Sequence, residues 1–248
     1  MSNTSIRFAC NGCGACCKSR LIPLTLNEAR QWLARGHDVA IVLEAFNEAT
    51  WTSDPQQFAH SVRRAAEVGS GDARIQVIAV FTANALDRCP NLGADDRCGI
   101  YDARPLVCRI YPMEINPFIP LQPENKGCPP ETWQTGEVMF TDRIIDPTLA
   151  HQVEQSRQAD RDDARAKINI CEYMGLTTVA WKNNAMAIYQ PDRQALIAAI
   201  NACDAGAHEP AGKAWSVRVD QPDLRQQLLA SDIVLSDDSS ADYIFHRL

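Results

Sequence analysis

The sequence predicts an α+β chain: an irregular cysteine-rich, metal-centred core with helical additions and a mainly helical C-terminal part. Three observations carry this. Eight of the ten cysteines fall into two groups, Cys10, Cys13, Cys16 and Cys17, then Cys89, Cys98, Cys108 and Cys128. Between residues 89 and 135 the hydropathy loses its period, and six of the 14 prolines lie between Pro112 and Pro130. Elsewhere helix-start signals recur, and one long β-branched run interrupts them.

Taken in order, Thr25 followed by Glu28 has capping-box spacing. Leu26, Ala29 and Leu33 then recur at helical intervals and Gly36 can close the element, so a helix is expected over about 26–35. Residues 37–73 read as a helical insertion. Val39 to Phe46 is apolar on more than one face, and Asp54-Pro55 is a capped start with proline at the first helical position. Gly69-Ser70-Gly71 reads as a turn. Arg74 to Phe81 is rich in β-branched residues and reads as a buried strand.

The proline-rich stretch is unsuited to a helix or a central strand. A segment that irregular needs an external tie, and Cys108 and Cys128 flank it. Past residue 135, Val138 to Phe140 reads as a short strand. Asp146-Pro147, Pro191 and Pro222 each start a helix, and Trp215, Val217 and Val219 alternate as in a strand. The expected division is a cysteine-cluster domain over 1–135 and a mainly helical region over 136–248. Asp237-Asp238 reads as a solvated acidic stretch.

The bulk composition excludes some partners. A formal charge of −7 argues against nucleic acid, which wants a basic face. No run of about 18 apolar residues exists, so no membrane span is expected. Met1 to Phe8 lacks an apolar segment of signal-peptide length, which makes the cytoplasm the expected location. Thiols stay reduced there, and clustered reduced thiols are most simply metal ligands, ahead of disulfides or core packing.

In the first group, Asn11, Gly12 and Gly14 favour tight turns whose amides point back at sulfur. Zinc sites usually combine two short chelating pairs, and the second group, with intervals of 9, 10 and 20 positions between cysteines, matches that poorly. Bacterial ferredoxins use C-x-x-C-x-x-C plus a remote cysteine followed by proline. Cys10, Cys13 and Cys16 reproduce the triplet, while Cys89-Pro90 and Cys128-Pro129 each offer the remote partner. Cys17 breaks the match. Adjacent Cys16 and Cys17 chelate one tetrahedral ion poorly, so they can serve two sites or leave one thiol spare. Eight thiols fill two four-thiolate sites or one cluster with four left over, and both readings stay open. The expected cofactor is an iron–sulfur cluster, of the [4Fe-4S] type, with zinc as the alternative. Cys171 and Cys203 read as core residues.

Around Cys108, Arg104 and Arg109 can neutralise thiolate charge or hold an anion, and Tyr101 and Tyr111 can donate to sulfur or stack beside a cluster. The competing reading pairs both arginines with Asp95, Asp96 or Asp102. The five histidines form no ligand pair, and no nucleotide loop or nucleophile elbow is present.

Two stretches make the chain resemble a known family. Cys10-x-x-Cys13-x-x-Cys16-Cys17 followed by Leu24 to Ala29, and Cys98-x-Ile-Tyr-x-x-Arg-Pro-x-x-Cys-Arg-x-Tyr-Pro, are similar to the CxxCxxCC cysteine-cluster family. That family is described as zinc- or iron-chelating, and its eight-cysteine pattern falls on the two groups. Its superfamily includes a flagellin lysine N-methylase understood to use an iron–sulfur centre. The resemblance covers about 1–36 and 75–130 and implies metal binding. It does not imply the methylase reaction, since no S-adenosylmethionine motif is visible. The partner, a protein or a small molecule, and any catalytic residue are not readable.

Overall fold

The computed structural model describes residues 5–52, 54–206, 214–237 and 242–248. Met1 to Thr4, His208 and Asp238 therefore lie outside the described residues. The chain forms two compact units, one of 1–24 with 83–159 and the other of 25–82 with 160–248. This division does not follow the expected boundary near 135. The first unit collects both cysteine groups from two separated stretches, and the second takes in all of 37–73.

The first unit opens with β1 (Ile6–Arg7), a 3-10 turn over Ala15–Cys17 and β2 (Lys18–Leu24). In the second unit, α1 (Leu26–Ala34) starts where the capping box predicts. The Thr25 side chain accepts from the Glu28 amide, and the Glu28 carboxylate accepts from the Thr25 amide. The Asp163 carboxylate also accepts from the Leu26 amide at 2.6 Å, which satisfies another free donor of the first turn. Gly36 stands at φ 86°, as a closing residue should.

β3 (Val39–Phe46) corrects the reading of 37–73 as helical. It is an interior strand of the sheet, buried on both faces from Val39 to Leu43. An eight-residue run that is apolar on all sides has no period, so pattern alone does not separate strand from buried helix. α2 (Pro55–Arg63) follows, capped by Asp54 on the Gln56 amide. Phe46, Trp51 and Phe58 form an aromatic triangle, with ring centroids 5.3 to 5.8 Å apart, that holds α2 to β3. β4 (Ala66–Ser70) turns at Gly71 into β5 (Ala73–Arg88), which contains the expected buried run. Residues of β5 up to Thr82 count with the second unit and those from Ala83 with the first.

The first unit continues with a 3-10 turn at Tyr101–Ala103, α3 (Leu106–Ile110), 3-10 turns at Pro123–Asn125 and Pro130–Trp133, and β6 (Val138–Phe140). β6 pairs with β1. α4 (Pro147–Asp162) packs Leu149 and Val153 on Ile110 and Met113, forming a small apolar cluster.

The remainder belongs to the second unit: α5 (Ala164–Tyr173), β7 (Thr178–Trp181), β8 (Ala185–Tyr189), α6 (Arg193–Asp204), β9 (Ser216–Arg218), α7 (Pro222–Leu229) and β10 (Tyr243–Arg247). This overturns the expectation of a mainly helical C-terminal part, although α+β stands as the class. Four strands after residue 175 join an eight-stranded mixed sheet. The order along its main path is β10-β8-β3-β5-β2. β8 runs antiparallel to β10 and β3, while β7 is parallel to both β3 and β9. β7, β8 and β10 have four or five residues each, too few for alternation to register, whereas β9 falls where the alternation of Trp215, Val217 and Val219 predicts it. Among the described residues, no helix is long and apolar enough to cross a membrane.

Candidate metal centre

All eight clustered cysteines lie in the first unit, as free thiols. Backbone geometry explains how the N-terminal group presents them. Gly12 and Gly14 sit at φ 73° and 68°, left-handed conformations that glycine adopts without steric cost. The Asn11 side chain caps the Cys13 amide at 3.2 Å, and the Cys17 amide closes the 3-10 turn on the Gly14 carbonyl at 2.9 Å. A Cβ on Gly14 would stand 2.8 Å from the Asp96 carbonyl oxygen, so glycine is what lets this loop lie against 92–96. Beyond Cys17 the chain becomes extended as β2.

The second group comes from four local structures. Cys89 follows β5, and its amide donates to the Cys17 carbonyl at 2.8 Å. Cys98 lies beside Leu92 in an antiparallel bridge, closed by the Gly99 amide on the Asn91 carbonyl at 2.7 Å. Cys108 sits on α3, which packs against β2. Cys128 lies between two 3-10 turns, with its Sγ 3.3 Å from the Tyr111 hydroxyl. Cys89 is buried, Cys16, Cys17, Cys98, Cys108 and Cys128 are half-buried, and Cys10 and Cys13 are exposed.

The thiols feel one another. A hydrogen bond from Cys17 lowers the Cys16 thiol to about 6; burial opposes this, and the nearby charges of Arg20 and Arg104 support it. The same hydrogen bond pushes Cys17 far up, with burial and the neighbouring Cys16, Cys89 and Cys108 adding to the shift. Burial, followed by the charges of Cys16, Cys89 and Cys98, pushes Cys108 up to about 12. Cys89 and Cys128 are raised by burial first as well. Half-buried soft donors that raise each other's ionisation cost are the electrostatic counterpart of a cation site. A bound metal reverses these shifts by supplying the positive charge. The donor set thus fits a thiophilic metal in its chemistry. As the side chains stand, no three Cys, His, Asp or Glu among the described residues are gathered closely enough to hold one ion.

The surrounding residues divide. Arg104 acts on Cys16, and its guanidinium lies 3.6 Å from the Tyr101 ring centroid while Nε donates to the Tyr101 carbonyl at 2.8 Å. Tyr101 is exposed beneath that guanidinium, and Arg109 is exposed at the end of α3. Tyr111 stands in the thiol group through Cys128. Asp96, one of the carboxylates considered for the arginines, pairs instead with Lys18 at 2.9 Å and Arg88 at 3.6 Å. Sequence reasoning passes over Arg20, whose guanidinium acts on Cys16 and lies 5.6 Å from the Tyr111 ring centroid. Its position three residues past Cys17, at the start of an extended segment, is the signal that could have found it. Cys171 lies fully buried on α5 of the second unit, where burial pushes its thiol up, and Cys203 lies on the adjacent α6.

Comparison with curated proteins and with solved structures finds no match. Comparison with protein families finds one, described as "CxxCxxCC: putative zinc- or iron-chelating domain", whose span holds all eight clustered cysteines. Residues 9–129, which carry both thiol groups of the first unit, thus match the model of the CxxCxxCC family, described as a putative zinc- or iron-chelating domain.

Proposed function

We propose that this protein is a cytoplasmic iron–sulfur protein, with the clustered cysteines as ligands of a [4Fe-4S]-type centre and a redox or group-transfer role. One observation carries the reading: the Cys10-x-x-Cys13-x-x-Cys16 triplet shares a compact unit with Cys128-Pro129, the arrangement a ferredoxin-type ligand set requires. The candidate ligands are Cys10, Cys13, Cys16, Cys17, Cys89, Cys98, Cys108 and Cys128, of which each such centre takes four. When bound, such a centre supplies electron transfer. The chain's own residues would set its potential through charge and hydrogen bonding at sulfur. Arg20 and Arg104 bring positive charge to Cys16, and the Tyr111 hydroxyl donates to Cys128 when that sulfur is a thiolate. The partner is a protein or small molecule that exchanges electrons or a group with the centre. Purification without oxygen, followed by iron and acid-labile sulfide analysis, tests this. The expected result is a coloured protein containing both, and a colourless, iron-free protein overturns it.

The irregular build of 89–135 favours a second reading, a zinc module that shapes an interaction surface without catalysis. Its longest regular element is the five-residue α3, so a metal tie would do the work of secondary structure there. This reading predicts zinc by elemental analysis and loss of the first unit on chelation. Unchanged far-UV signal and melting point in excess chelator overturn it.

A further inference from the structure

Eight thiols fill either one site with four to spare or two complete sites, and sequence spacing does not decide between them. Backbone contacts within the first unit do sort them. The Cys89 amide donates to the Cys17 carbonyl at 2.8 Å, so the residue before β2 and the residue after β5 are neighbours. The Cys89 carbonyl accepts from Leu92 at 3.0 Å, and Leu92 is bridged to Cys98. Cys108 arrives on α3, which packs on β2, the strand that begins one residue after Cys17.

A different set of contacts gathers the others. The Ala9 amide donates to the Thr132 carbonyl at 2.8 Å, tying the residue before Cys10 to the turn after Cys128. A Cβ on Gly127 would lie 3.8 Å from the Ala15 side chain, which places Cys128 next to the residue before Cys16. Phe8 packs on Trp133 with ring centroids 4.9 Å apart and on Tyr111 at 6.4 Å, and Tyr111 is hydrogen-bonded to Cys128.

From this sorting, and resting on the reading of the cysteines as metal ligands, we infer that the domain holds two separate four-thiolate sites. One is made by Cys10, Cys13, Cys16 and Cys128, the other by Cys17, Cys89, Cys98 and Cys108. The adjacent pair Cys16 and Cys17 is the divide. Cys16 belongs to the 3-10 turn, Cys17 ends it, and the backbone is already extended at Lys18. The first set is also the one with ferredoxin-type spacing, a C-x-x-C-x-x-C triplet and a remote Cys-Pro. In two-cluster ferredoxins one cysteine of a consecutive run likewise serves the other cluster.

The test uses the full chain purified without oxygen, with iron, zinc and sulfide counted per chain. Cys13→Ser and Cys128→Ser should each halve the bound metal, as should Cys89→Ser and Cys98→Ser. A variant pair within one set should still retain half, and a pair drawn from both sets should retain none. Complete metal loss from single variants of both sets overturns the inference in favour of one shared site. So does full retention in either set, which marks four spare thiols. A wild-type chain with neither metal defeats the metal reading itself, a distinct outcome. Because a variant can fail to fold, a second measurement uses the wild-type chain: stepwise stripping with EDTA, alkylating the exposed thiols at each step. Two steps are expected, each releasing one of the named sets of four. All eight thiols appearing in a single step, or sets of other membership, overturns the assignment.

Discussion

In the second compact unit, β3 runs from Val39 to Leu43 with almost no surface in water, and Ile75, Val77 and Phe81 of β5 are equally buried. In the first unit the whole stretch 89–135 has one five-residue helix and a few 3-10 turns, and its apolar cluster centres on Ile110, Met113, Leu149 and Val153. The contrast teaches where each unit gets its stability. Burial of apolar area, worth roughly 25 cal/mol per Å², suffices for a sheet covered by helices. A segment with little regular structure must find its cohesion elsewhere, and the eight thiols of the first unit, four of them in this segment, are the obvious source.

The sharpest way to break this comparison is metal removal. Thiolate-bound structural metal contributes on the order of 10 kcal/mol. Stripping with chelator should therefore abolish amide-exchange protection in 89–135 while leaving β3 and β8 protected. Peptide-resolved hydrogen exchange checks it, and equal loss in both units would erase the distinction. The converse is Phe46→Ala, which empties the aromatic triangle with Trp51 and Phe58. It should cost about 3–5 kcal/mol in denaturant unfolding with metal content unchanged.

A smaller effect is expected at Cys171, which is wholly buried in the second unit. Cys171→Ser places a hydroxyl in its apolar surroundings and should cost about 1–3 kcal/mol while keeping the full metal complement. Metal loss there would refute the separation of the ten cysteines into eight ligands and two packing residues. The smallest is Thr25→Ala, which removes one arm of the capping box of α1. A loss of about 1 kcal/mol by thermal or denaturant melting is expected, again with metal retained.

Legibility followed the range of the interaction. The start of α1 was readable because Thr25 and Glu28 are three residues apart and bond to each other. Asp54 and Gly36 were readable for the same reason. The strand after Gly71 was readable because its β-branched run is long. β3 was missed because burial on every side removes the alternation that marks a strand. β7, β8 and β10 were missed because each has four or five residues and acquires its identity from a partner far along the chain, as Ile188 does from both Val42 and Ile244. At the site, the eight thiols and Arg104 were visible as residue types in dense spacing. Arg20 was not, because its relation to Cys16 and Tyr111 appears only once β2 lies beside the loop that carries Tyr111.

By itself the amino-acid sequence determined the chemistry of the donors, the turns that present the first group, and the helix ends, all of them matters of neighbours within about four residues. Tertiary structure alone decided that Cys17 stands beside Cys89, that Gly127 stands beside Ala15 and Thr132 beside Ala9, and that the C-terminal segments are strands of one sheet. The reason is that a hydrogen bond between residues 17 and 89 depends on how the intervening 71 positions fold, and no local pattern encodes it.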